Sequence, residues 1–303
     1  MLLTLLFVSL LVFVVVRVLP GDPALIMLGI EASPDAVARM RETLGLDRPV
    51  PVQYAAWAGR AVLGDLGRSI QYDVPVAGLI ASRLSVTLPL TVMAAALMVM
   101  AAIPLGVFAA MRHRRWGDYA AMTLSQLGIA VPGFWAGLLL ILLFSVKLGW
   151  FQAGGFDGWG EGVGHALRSL LLPAVALGLF QFAVLARTTR SALLEVLREE
   201  YVKTARAKGV AERAVIFRHA LKNAMIPILT VAGVQLGQLM AGSIILESVF
   251  YLPGLGRLAL GAISARDLPV VQGVVLFVAS AIVVINAAVD MLYGVLDPRI
   301  RYE

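Results

Sequence analysis

The sequence contains no cysteine. Disulfides, thiolate chemistry and cysteine-ligated zinc are excluded, and composition is silent on the redox compartment. Charge is scarce as well. Asp, Glu, Lys and Arg make up 15% of the residues against 60% hydrophobic, far from the balance of a water-soluble domain. The three histidines, His113, His165 and His219, stand far apart, and neither a His-Glu-x-x-His zinc helix nor a Gly-x-Ser-x-Gly nucleophile elbow occurs. Gly59 and Gly64 have the glycine spacing of a phosphate-binding loop, but Asp65 stands where that loop needs Lys. A carboxylate there repels phosphate. No soluble basic domain or aromatic-interleaved basic face exists, so the net charge of +6 is read as a marker of membrane topology and not of nucleic-acid binding. No catalytic set, metal site or cofactor is expected on this chain.

What the sequence does have is long apolar runs. A spanning helix needs roughly 20 mainly apolar residues, because lipid offers the backbone no hydrogen bonds. Leu2 to Leu19 is the first run, interrupted by Arg17, whose side chain can snorkel to the interface. A signal peptide is the alternative. No basic residue precedes the run and no small-residue cleavage site precedes Pro20-Gly21-Asp22-Pro23, so a retained span is expected, with a natural start upstream of Met1. Further runs cover Leu84 to Ala110, Tyr119 to Val146, Leu170 to Ala186, Ala224 to Leu246 and Val270 to Tyr293. The expected fold is all-α, a polytopic membrane protein of six transmembrane helices. Residues 1–19 form the first, 20–83 an extracytoplasmic region, and 84–303 a core with the other five and a cytoplasmic loop at 187–223. Pro89, Pro104, Pro132-Gly133, Pro173 and Pro227 lie inside the runs, and neighbouring helices must satisfy the backbone groups they free.

The region from Pro20 to Arg83 is polar and rich in Pro and Gly. Ser33 caps a predicted helix that starts at Pro34, carries Asp35 in its first turn and closes at Gly45. Pro49 and Pro51 break the chain, and Tyr54 and Trp57 suggest a segment lying at the membrane surface. A compact lid or spacer accounts for the region equally.

Orientation follows from Lys and Arg in the connections. With a cytoplasmic N-terminus, the segments Arg112 to Asp118, Arg187 to Asn223 and the tail from Asp297 are inside, and they hold three, nine and two basic residues. The short outer loops hold Lys147, Arg168, Arg257 and Arg266. Both termini are expected in the cytoplasm.

Ionisable residues inside spans usually mark ion pathways. Here only Glu247, at the outer end of the fifth run, and Asp290, one turn after Asn286 in the sixth, qualify. Packing is favoured for both over ion coupling. A secondary transporter would need such a carboxylate, so any driving energy is expected from another chain. A passive scaffold is the remaining alternative.

The longest cytoplasmic segment is patterned rather than low in complexity. Ser191 to Gly209 has apolar residues at helical spacing and good helix formers, Gly209 stops it, and a second helical stretch runs from Glu212 to Leu221. Small residues Ala205, Ala207 and Gly209 allow a partner close, while Arg206 and Lys208 invite acidic groups.

At these residues the chain resembles a known family. The run Glu200-Tyr-Val-Lys-Thr-Ala-Arg-Ala-Lys-Gly209, followed by His219-Ala-Leu-Lys-Asn-Ala-Met-Ile-Pro-Ile-Leu-Thr230, is similar to the cytoplasmic "EAA" loop of bacterial ATP-binding-cassette importer permeases, nearest to the dipeptide, oligopeptide and nickel branch. The resemblance extends through Pro20-Gly-Asp-Pro23, Gly64-Asp-Leu-Gly-Arg-Ser69, Pro253-Gly-Leu-Gly-Arg257, Arg266-Asp-Leu-Pro-Val-Val-Gln-Gly273 and Leu296-Asp-Pro-Arg-Ile-Arg-Tyr302. One departure stands out. The general loop pattern ends in Leu-Pro, whereas Lys222 follows Leu221 here and the proline waits until Pro227, which resembles the first of the two permeases in peptide systems. The resemblance implies a type I permease fold, a homologous second permease subunit, two ATPase subunits and an extracytoplasmic solute-binding protein, all assembled in the inner-membrane lipid bilayer. It also implies that Thr204, Ala205, Arg206, Ala207, Lys208, Gly209 and Glu212 form the coupling segment that sits in a groove of the ATPase.

A translocation path is expected to use the few polar residues within the runs. Gln235 and Gln238 share a helix face, Ser243 follows, and Gln126 and Gln181 come from the third and fourth runs. For each, an interhelical hydrogen bond is the competing role. Gly233 and Gly237 form a small-x-x-x-small pair suited to close helix packing.

Overall fold

The computed structural model describes residues 2–18, 23–28 and 32–296. Helices follow one another as α1 Leu2–Val18, α2 Pro23–Leu28, α3 Pro34–Leu44, α4 Val50–Val62, α5 Val76–Met111, α6 Trp116–Ala130 and α7 Gly133–Leu140. A π-helical turn, Ile141–Lys147, continues α7. Then come α8 Val163–Val196, α9 Glu200–Ala207, α10 Glu212–Ala214, a second π-helical turn Val215–Ala220, α11 Leu221–Val249, α12 Leu255–Ser264 and α13 Leu268–Leu296. Among the described residues no strand forms, and an isolated bridge joins Arg68 and Pro75. The fold is all-α.

Local chemistry explains several boundaries. Ser33 Oγ accepts from the Ala36 amide at 3.3 Å, Pro34 opens α3, and Gly45 ends it with φ +68, the left-handed value that glycine adopts without strain. Among the described residues four helices, in α5, α8, α13 and the stretch from Glu212 to Val249, are long and apolar enough to cross a membrane. The expected span from Tyr119 to Val146 is broken. Val131 and Pro132 are extended, and the axes of the two pieces meet at 102°, because a residue before proline avoids the helical region. The first run is helical over its described part, Leu2–Val18. Parts of two motifs, residues 19–22 and 297–303, and the Asp290 side chain lie outside the described residues.

The chain divides into two compact units, residues 1–86 with 253–283 and residues 87–252 with 284–303. In the first, Val76, Ile80, Leu255, Leu258, Val270 and Val274 form an apolar cluster. Beside it, Asp267 is buried and accepts from Ser69 Oγ at 2.5 Å and from the amides of Ile70 and Gln71 at 3.1 Å each. The Tyr54 and Trp57 rings turn inward against Phe13 of α1, at centroid distances of 5.5 and 5.8 Å, and are not directed outward as a surface belt.

In the second unit α8 packs against α6, α7 and α11. Met98, Leu185, Leu193, Ile216 and Ile228 are among the side chains that fill its core. Glycine lets two further helix pairs touch, α5 with α8 and α11 with α13. A Cβ at Gly106 would lie 2.6 Å from Ala186 O, and one at Gly233 would run into the Val289 side chain. Such contact is what holds helices together where the surroundings are as apolar as the side chains. Glu247 is fully buried, with Oε1 accepting from Thr87 Oγ1 at 2.5 Å.

Candidate functional site

The segment after α8 departs from the continuous helix expected between Ser191 and Gly209. Residues Leu197 to Glu199 interrupt it, with Glu199 extended at ψ 147, so α9 is a separate piece. Val202 is fully buried and anchors α9, while Asn223 Nδ2 donates to Tyr201 Oη at 2.6 Å and ties it to α11. Arg206 Nη1 also reaches back to Leu197 O at 3.5 Å. These contacts hold α9 as a separate helix after the break.

Gly209 has φ +77 and follows directly on α9. Its amide donates to Arg206 O at 2.9 Å, and the Val210 amide donates to Ala205 O at 3.2 Å. Across this turn Arg206 and Glu212 form a two-bond ion pair, Nη2 to Oε1 at 2.6 Å and Nε to Oε2 at 3.1 Å. The hydrogen bonds that Arg206 donates to the Glu212 carboxylate hold its guanidinium above its ordinary pKa. Arg206 is thus already occupied by its own chain, while Lys208 and Arg213 stand exposed on either side of the pair's Glu212. Thr204, Arg206, Ala207, Lys208, Gly209 and Glu212 are exposed and Ala205 is half-buried. From Glu212 the backbone is helical through to Val249, so the irregular part of the loop is confined to Leu197–Glu199 and Lys208–Ala211.

The proposed path residues separate. Gln181, Gln235 and Ser243 are buried, whereas Gln126 and Gln238 are exposed. Gln235 and Gln238 therefore have different surroundings despite their helical spacing. Ser243 Oγ donates to Met240 O at 2.8 Å within its own helix. Gln181 differs from all of these, since its Oε1 is buried with no hydrogen-bond partner.

Sequence reasoning missed one cluster. Asp118, with a side chain 3% exposed, accepts from Arg190 Nε at 2.5 Å and Nη2 at 2.7 Å, and from the Arg114 amide at 3.0 Å. His113 Nδ1 lies 3.1 Å from Arg190 Nη2. Arg114 has φ +59, an uncommon value for a residue with a side chain, and the carboxylate closes the turn that contains it. A groove lined by His113, Arg190, Leu194, Arg198 and Glu200 lies alongside. The signal available was a carboxylate in the first turn of a helix just after three basic residues, but nothing local named Arg190 as its partner. His165 lies elsewhere, 3.0 Å from Asp157. Among the described residues no group of His, Asp and Glu is arranged to hold a metal ion.

Residues 102–302 match the model of the binding-protein-dependent transport system inner membrane component, and residues 1–91 match the N-terminal membrane component model of the same systems. The chain belongs to that family. As a member it is a multi-pass inner-membrane transport subunit. One similar family member is a protein of Brucella abortus whose name describes a peptide transport system permease, 47% identical over 298 residues that cover 98% of this chain and 95% of that one. Another is the glutathione transport system permease protein of Escherichia coli, 44% identical over 300 residues, 99% of this chain and 95% of that one. The family fold is also seen in a solved chain of an inward-facing methionine ABC transporter. That chain superposes with a TM-score of 0.60 at 18% identity, over 72% of this chain and 96% of its own length.

Proposed function

We propose that this chain is one permease half of an ATP-binding-cassette importer for di- or oligopeptides or a related small solute such as a nickel chelate. The observation that carries this reading is the exposed turn from Thr204 to Glu212, held in shape by Arg206 and Glu212. A rigid protrusion of small residues suits a groove on an ATPase. The peptide and glutathione systems to which the relatives belong by name support the substrate class. The assembly comprises a homologous second permease, two ATPases and an extracytoplasmic binding protein, and this chain carries no cofactor. Both termini face the cytoplasm, in keeping with the nine basic residues between Arg187 and Asn223.

ATP binding draws the ATPases together, and the turn transmits that movement through α9 and α11 to a bundle with two arrangements. Gln181, Gln235 and Ser243 line the path, with Gln126 and Gln238 at positions open to the second permease. Peptide amides need hydrogen-bonding partners along such a path but no tight site, since a tight site would not release them. Reconstitution of the four-subunit complex with its binding protein tests the proposal. ATP hydrolysis and peptide uptake should both depend on the binding protein. Uptake that persists without ATPase subunits would make the chain a secondary transporter and overturn it.

A further inference from the structure

Helix α4 has no core. Its thirteen residues carry a single charged side chain, Arg60, and none of them is buried. A mostly apolar helix of this length has little to hold it in water. Three features describe its surroundings. Tyr54 Oη lies 2.8 Å from Ser9 Oγ, and because Ser9 donates its own hydrogen to Leu6 O at 2.8 Å, Tyr54 is the donor between them. Ser9 sits well inside α1, roughly 10 Å from one end and 14 Å from the other at 1.5 Å per residue. The polar groups of α4 are also satisfied close by. Gln53 Nε2 donates to Leu46 O and Arg48 O at 2.8 and 2.6 Å, and Arg60 Nε donates to Ala56 O at 3.4 Å. Finally, the side of α4 turned away from α1 is exposed and apolar through Val52, Ala55, Ala56, Gly59, Val62 and Leu63. Val62 and Leu63 are 87% and 86% exposed.

We infer that α4 is sunk into the lipid bilayer from the outer side, against α1, with its Val52 to Leu63 face on acyl chains. The inference rests on α1 being a membrane span. In that case the Ser9–Tyr54 contact lies below the surface of a hydrocarbon layer about 30 Å thick. At thirteen residues, about 20 Å, α4 is too short to cross, so it enters and leaves through one surface. Arg60, in its last turn, can reach the head groups. Lipid is favoured as the occupant because the face continues the character of the exposed Phe7, Leu10 and Val14 on α1. The segment between the first two spans is thereby anchored in the membrane and is not a free external lid.

The absence of cysteine makes the natural chain a ready background for single-cysteine reporters. Ala56→Cys probes α4, Phe7→Cys probes α1, and Asp73→Cys, at a side chain 88% exposed, marks the aqueous turn. In membrane vesicles holding the full assembly, impermeant maleimide should label Asp73→Cys and lose its reaction with the other two. Nitroxides at residues 56 and 7 should be quenched by oxygen far more than by a water-soluble nickel chelate. Labelling at 56 with protection at 7 would overturn the inference and leave α1 a span. Shielding of 56 from both quenchers would overturn it in favour of a protein partner. Water access at 7 would overturn the reading of α1 and the inference with it.

Discussion

Replacing Arg190 with Met removes both hydrogen bonds that neutralise Asp118, the 2.5 Å bond from Nε and the 2.7 Å bond from Nη2. The carboxylate left behind is 3% exposed and keeps the Arg114 amide and the His113 ring as partners. Breaking a buried pair on one side costs about 3–5 kcal/mol, chiefly because a desolvated charge stands uncompensated. The Arg114 amide lowers the expected loss to the bottom of that range, about 3 kcal/mol. Asp118→Asn alone removes the charge but keeps an acceptor, and should cost about 1–3 kcal/mol. The double variant leaves no buried charge, so it should be more stable than the Arg190→Met chain by about 1–3 kcal/mol. Equilibrium unfolding in detergent, followed by fluorescence of the five tryptophans, measures all four corners of the cycle. Strictly additive single and double effects would refute the claim that the two side chains act as a pair.

Other expectations are simpler to state. Gly209→Leu should cost about 1–2 kcal/mol through backbone strain alone, since nothing lies within 4 Å of an added Cβ; it should lower substrate-stimulated ATP hydrolysis, and normally coupled uptake would remove Gly209 from the coupling element. Asp267→Ala should free the Ile70 and Gln71 amides, seen as faster hydrogen exchange there, and cost about 1.5–3 kcal/mol for a bond to a charged group. Gly233→Ala forces a methyl onto Val289 and should destabilise by about 1–3 kcal/mol in the same unfolding assay. Gln181→Leu should leave stability unchanged or raise it, because a buried acceptor without a partner is removed, while slowing peptide uptake; uptake at the parent rate would take Gln181 off the path.

Apolar run length placed the long helices, and short-range chemistry placed α3, from its Ser33 cap to its Gly45 stop. The helix stop at Gly209 was equally legible, because only local backbone geometry is involved. The break at Val131 and Pro132 had a visible cause but not a visible size, since proline restricts the preceding residue without dictating an angle of 102°. The interruption at Leu197 to Glu199 had no local cause at all. Those residues favour helix, and burial of Val202 with the Tyr201–Asn223 bond overrides them. Long-range pairs escaped for the same reason. Ser69 and Asp267 stand in two motifs quoted for the family resemblance, yet 198 positions separate them. Arg190 and Asp118 are 72 apart, and no periodicity relates them.

The bracket between Arg206 and Glu212 bears on how an ATPase would be met if the turn has the proposed coupling role. By pairing with each other across the Gly209 turn, these side chains use up charges that would otherwise steer an encounter from a distance. In that role the turn would meet an ATPase already held in shape, so little conformational freedom would be lost on docking. Docking would draw little on the charges of Arg206 and Glu212, and it should weaken less with added salt than a contact in which those two charges stood free.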